Sequence, residues 1–195
     1  VFYKNALPNE IPQMSVGLLL DESGSMCSCD RCTYARSSAI ILYDFCKALH
    51  IPVTVYGHST SGSSVELYSY AEFESIDNDD KYRMMDIAAR GSNRDGAALR
   101  FVAEQLVKRP EEVKILILVS DGQPAAPGYY GSAAEEDLRG IRQEYRRKGV
   151  LFIAAAIGED KQNIERIYGD SFMDITDLNQ LPVKLTAAVK RHMRV

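Results

Sequence analysis

The sequence predicts an α/β fold: a doubly wound, mostly parallel open sheet with one antiparallel edge strand and helices on both faces. Three observations predict it. Val16–Leu20, Val113–Val119 and Leu151–Ile157 are short, nearly continuous apolar runs, the pattern of strands buried on both faces. Segments with apolar residues at three- and four-residue spacing separate them, as crossovers between parallel strands require. Two of the runs stop abruptly in acids, at Asp21 and at Ser120-Asp121-Gly122, and the carboxyl edge of such a sheet is where ligands bind.

Taken in order, residues 1–13 hold Pro8, Pro12, Asn5 and Asn9 without a usable period and read as an extension or linker before a domain of residues 14–195. Val16–Leu20 is the first strand. Thr33–Leu49 is a helix, with Ala35, Ala39, Leu42, Phe45, Cys46 and Leu49 on one face. Val53–Tyr56 is a strand ending at Gly57-His58-Ser59, and residues 60–64 form a turn. Val65–Tyr70 alternates as a half-exposed strand, antiparallel to its predecessor because the connection is so short. Asp77–Asp80 starts a helix running to Ala89. The polar loop Arg90–Gly96 leads into a helix over Ala97–Lys108 that Pro110 ends. Val113–Val119 follows, then a Pro/Gly-rich loop over residues 123–132 with Tyr129 and Tyr130. A charged amphipathic helix covers Ala133–Lys148, a strand Leu151–Ile157, a short helix Asn163–Tyr168, a short edge strand Phe172–Ile175 and a closing helix Leu181–Met193.

With 195 residues, 46% hydrophobic and 26% charged, the chain makes one domain with a sizeable core. A net charge of −4 argues against nucleic acid or an anionic membrane surface as partner, and no apolar run approaches a membrane span. A chain beginning at Val1 reads as part of a longer protein. Cys27, Cys29 and Cys32 form C-x-C-x-x-C after the first polar loop. They fit loop thiols, a labile disulfide or part of a zinc site, although a complete zinc site needs a fourth ligand. Cys46 lies on an apolar helix face and reads as a small buried hydrophobe. A reducing, cytoplasmic setting is the default for such cysteine usage.

The chemistry-bearing residues are few. Asp21-x-Ser23-x-Ser25 puts three oxygens on one tight turn, and oxygen donors suit a hard cation, Mg²⁺ or Mn²⁺. Asn93-x-Asp95-Gly96 and Asp121-Gly122 follow other elements that converge on the same sheet edge. The competing reading is that Asp21, Ser23 and Ser25 only cap the next helix. Enzyme readings fit less well. Asp21 after an apolar strand suggests a Mg²⁺-dependent phosphatase, but Ser23 stands where the acid two residues on would be. Gly57-His58-Ser59-Thr60-Ser61 falls short of G-x-S-x-G at its last position. His50, His58 and His192 have no visible acid partner and read as surface or packing residues. No phosphate-cradling G-x-x-x-x-G-K-[ST] loop exists.

Together, the three loops resemble the metal-ion-dependent adhesion site of the von Willebrand factor A (vWA) domain, a Rossmann-like fold, over nearly the whole chain. The resemblance implies a non-enzymatic, Mg²⁺-dependent protein-interaction module, in which an open ion position accepts a carboxylate from a protein partner. It implies that Ser23 and Ser25 bind the ion directly and that Asp21 and Asp121 act mainly through water. That family has a threonine where this chain has Asn93. Asn93 with its neutral carbonyl and Asp95 with its charge are both candidate second-loop ligands; the expectation is that Asp95 caps its own helix. The Asn-x-Asp-Gly-x-Ala-Leu pattern resembles the C-terminal domains of cobalt chelatase subunits and nitric oxide reductase activation proteins. Such domains work beside a MoxR-type AAA+ ATPase. An extracellular adhesion-type vWA domain is the alternative.

Overall fold

Strand order in the sheet follows from two crossovers that land on opposite sides of the first strand. The computed structural model describes residues 13–28, 30–75, 77–122, 124–156 and 161–174, with positions 183, 184 and 187. Strand β1 (Met14–Asp21) passes through helix α1 (Arg31–Ala48) to β2 (Val53–Ser61), which turns back into β3 (Ser64–Ala71). A short helix α2 (Asp80–Met84) and helix α3 (Asp95–Val107) then lead to β4 (Val113–Ser120), on the other side of β1. A two-stranded hairpin, β5 (Ala125–Ala126) and β6 (Tyr129–Tyr130), precedes α4 (Gly131–Arg147), β7 (Val150–Ala156), α5 (Lys161–Tyr168) and β8 (Phe172–Asp174).

The six-stranded sheet runs β3-β2-β1-β4-β7-β8. Only β3 is antiparallel to its neighbour, as predicted. The chain reverses its winding at β1, so the crevice at the carboxyl ends of β1 and β4 is a topological switch point.

Both faces of the sheet are covered. Val16, Leu18 and Leu20 of β1 pack with Ala35, Ala39 and Leu42 of α1 and with Ile115, Ile117 and Val119 of β4. On the opposite face Leu19 joins Leu99, Val102 and Leu106 of α3, Leu138 and Ile141 of α4, and Phe152 of β7. This two-sided burial is why the strands read as continuous apolar runs, and each fully buried leucine contributes roughly 2 kcal/mol. Cys46 is fully buried in the first of these cores, as expected, and burial pushes its thiol up to about 12.

Three expectations change. Strand β2 does not end at Tyr56 but continues through Gly57, His58, Ser59 and Thr60, all buried. The helix expected over Asp77–Ala89 is confined to Asp80–Met84, because the chain then crosses to the first loop, where Arg90 N donates to Glu22 O at 2.7 Å. The loop over residues 123–132 contains the β5–β6 hairpin. The expected extension over residues 1–13 and closing helix Leu181–Met193 fall largely outside the described residues. Among the described residues no helix is long and apolar enough to cross a membrane.

Candidate metal and ligand site

Strand register brings the first and third polar loops together. Asp21, the last residue of β1, lies beside His58 of β2, and Ser120 ends β4 on the other side. The loop between β1 and α1 bends at once: Ser23 N donates to Asp21 Oδ1 at 2.8 Å, and a single 3-10 turn spans Gly24–Cys27. Ser23 precedes that turn, but its hydroxyl makes no capping bond, and α1 starts only at Arg31, behind Asp30. The capping explanation for the serines therefore fails. Their hydroxyls lie 3.0 Å apart, and Ser25 Oγ donates to Asp121 Oδ1 at 3.1 Å.

Backbone contacts fasten the second loop, residues 90–94, against the first. Gly24 N donates to Gly91 O at 2.6 Å, Gly91 N donates to Ser59 Oγ at 2.8 Å, and Ser92 bridges to Thr60. The approach is so close that a Cβ on Gly91 would lie 2.2 Å from Thr60 O, so the position requires glycine. Beneath the loops Glu22 is fully buried. It accepts hydrogen bonds from Tyr70 Oη at 2.6 Å, Arg90 Nε at 2.8 Å and Ala88 N at 3.4 Å. The Arg90 guanidinium in turn stacks 4.1 Å above the Tyr68 ring.

Asn93 clips all three loops. Its Oδ1 accepts from Ala125 N at 2.7 Å, while Nδ2 donates to Asp21 Oδ2 at 3.3 Å and to Asp95 Oδ2 at 3.5 Å. Asp21 Oδ2 also accepts from Ser120 Oγ at 2.8 Å. Asp95 does not cap its helix, contrary to expectation. It is the first residue of α3, and its carboxylate turns inward, with Oδ1 3.2 Å from His58 Nε2. The acid still sits at the positive end of the α3 dipole. Nor is His58 a surface or bare packing residue: it is fully buried among Asp95, Asp21 and Glu22. Its burial disfavours the imidazolium, but the surrounding carboxylates outweigh that and raise its pKa. Burial, then the neighbouring charge of Asp95, raises Asp21. Burial, then the charge of Asp21, raises Asp121.

Above this layer opens a cleft of about 400 Å³, lined by Ser23, Ser25, Arg31, Asn93, Asp121 and Asn163 among others. Of the residues singled out from the sequence, Ser23, Ser25, Asn93 and Asp121 face the cleft, and Asp21 and Asp95 lie behind it. Sequence reasoning missed Arg31, whose guanidinium donates to Asp121 Oδ2 at 2.7 Å, and it missed Glu22 and His58. The signal for His58 was the parallel register, which sets residue 58 beside Asp21. Of the loop cysteines, Cys27 is exposed and Cys32 half-buried; Cys29 lies outside the described residues. No group of three or more His, Cys, Asp or Glu side chains is placed to hold a metal ion among the described residues. An ion in this cleft would therefore rest on hydroxyls, single carboxylates and water.

Comparison with known proteins places the chain in a family. Residues 80–193 match the family model described as "Cobalamin biosynthesis protein CobT VWA domain". The chain belongs to this vWA family. The matched stretch carries Asn93, Asp95 and Asp121, and the Asp-x-Ser-x-Ser loop precedes it. Across its length the vWA domain is similar to the uncharacterized protein YojO of Bacillus subtilis (strain 168), 25% identical over 205 residues that cover 98% of this chain and 32% of YojO. It is also similar to NorD of Brucella suis biovar 1, 34% identical over 97 residues that cover 48% of this chain and 15% of NorD. The vWA domain thus spans a third or less of these relatives. The solved structure "von Willebrand factor type A from Catenulispora acidiphila" superposes with a TM-score of 0.61 at 16% identity, covering 87% of this chain and 40% of that one. At that identity the likeness is one of fold.

Proposed function

We propose that this vWA domain is a Mg²⁺-dependent protein-interaction module of a larger cytoplasmic protein. It works with a MoxR-type AAA+ ATPase in activating a metalloenzyme or inserting its metal. One observation carries the reading: two serine hydroxyls that cap no helix converge with an Asp121 oxygen on an open cleft. Three hard oxygens from two loops fit Mg²⁺ or Mn²⁺. Ser23, Ser25 and Asp121 would hold the ion; Asp21 and Asn93 would act from behind, through water and hydrogen bonds. When bound, the ion supplies a Lewis-acidic position for a carboxylate of a protein partner.

The charge balance supports a receptor rather than a tight metal store. Asp95 faces His58 and lies outside the cleft lining, so its charge is set against the imidazole instead of the ion. With neutral hydroxyls as the main donors, the ion keeps most of its charge for the incoming acid. The resemblance to chelatase-subunit and nitric oxide reductase activation domains, together with membership of the CobT vWA family, favours the ATPase-assisted role over extracellular adhesion. A phosphatase is disfavoured, because Asp21 is buried and held by Ser23 N, Ser120 Oγ and Asn93 Nδ2. Ser59 is no nucleophile either: it is buried in β2, accepting from Gly91 N.

The test is a titration of Mg²⁺ or Mn²⁺ into the wild-type domain and Ser23→Ala. Saturable binding is expected in the wild type and a loss of at least about tenfold in Ser23→Ala. Equal binding by the two proteins would remove the assignment.

A further inference from the structure

Arg31 is a cation placed where its own helix does not favour one. It is the first residue of α1, whose first turn holds no acid, and the positive end of a helix dipole repels a guanidinium. Asp30 before it adopts a left-handed conformation, φ 57°, and the chain turns there into α1. The Arg31 side chain, 14% exposed, reaches into the cleft, where its guanidinium meets Asp121 Oδ2 at 2.7 Å and Ser25 O at 3.5 Å. The carboxylate of Asp121, itself 5% exposed, helps to offset the dipole.

We propose that Arg31 is the affinity-setting residue of the site, an internal cation that competes with the divalent ion for Asp121. The inference rests on the metal-binding reading above. Asp121 offers two oxygens, one facing Ser25 and the other bound by Arg31. An ion held by Ser23, Ser25 and Asp121 shares that carboxylate with a full positive charge, and the two cations repel in a half-buried setting where water screens them poorly. Binding the ion therefore weakens or displaces a charge-assisted hydrogen bond, which lowers the apparent metal affinity.

The experiment measures Mn²⁺ affinity, by electron paramagnetic resonance of the free ion, for wild type, Arg31→Gln and Arg31→Lys, with thermal melts in metal-free buffer as a folding control. Arg31→Gln keeps length and polarity without the charge, and it should bind Mn²⁺ about tenfold more tightly than wild type. Arg31→Lys keeps the charge and should stay within about threefold of wild type. Should Arg31→Gln melt too early to assay, Arg31→Met takes its place with the same expectation. Wild-type binding with no gain in the neutral variant overturns this inference alone. Absence of Mn²⁺ binding in wild type and neutral variant alike overturns the metal-site reading, and this inference falls with it.

Discussion

Replacing Glu22 with alanine should lower the stability of this vWA domain by about 3 kcal/mol, at the low end for breaking a buried ion pair. Glu22 is fully buried and takes three donors: the Tyr70 hydroxyl, the Arg90 guanidinium and the Ala88 amide. Its loss leaves the Tyr70 hydroxyl without its acceptor in the core. Arg90, 37% exposed at its side chain, can turn partly to water, which keeps the loss at the low end. The same carboxylate joins the first polar loop to the second, so the cleft loosens with it. Thermal denaturation should show a fall of about 6–12 °C for a chain of this size. Tyr70→Phe removes one donor and should lose only about 1 kcal/mol. A Glu22→Ala midpoint within about 2 °C of wild type would mean that the network contributes nothing net.

Asp95→Asn should lose about 2 kcal/mol, more than a surface helix-terminal acid would contribute. A cap or a first-turn acid is worth about 1 kcal/mol, whereas this carboxylate is 2% exposed and faces the buried His58 imidazole across 3.2 Å. Asparagine keeps the shape but leaves His58 without its nearest counter-charge. Neutralising the imidazole limits the loss, which is why the figure stays below that for Glu22. The midpoint should drop by about 4–8 °C, while Mn²⁺ affinity changes less than in Ser23→Ala. A near-native midpoint combined with a collapse of metal affinity would reverse the assignment and make Asp95 a ligand.

What could be read in the sequence was whatever depends on covalent order. The buried strands announced themselves because both faces are covered, so Val16–Leu20 and Val113–Val119 needed no partner to be recognised. The Asp21, Ser23 and Ser25 spacing and the acid that follows β4 were enough to place these residues at one edge of the sheet. The remainder depended on register. Gly57-His58-Ser59 looks like the end of a strand, since polar residues there suggest solvent. In the fold they are buried because the adjacent ends of β1 and the second loop supply acids and amides for them. The same holds for Asp95: before Gly96 and a helix an acid suggests a cap, and only the neighbouring strand supplies the buried imidazole it faces. Arg31 gives no local signal of its place in the site, because Asp121, the carboxylate it meets, lies 90 positions away.

The most direct test of the central claim is a crystal of the domain soaked in Mn²⁺ and measured at an energy where manganese scatters anomalously. An anomalous peak bonded to the hydroxyls of Ser23 and Ser25 and adjoining Asp121 is the predicted result. No peak in the cleft at saturating Mn²⁺, or a peak held elsewhere on the molecule, would contradict a metal-dependent interaction site in this fold.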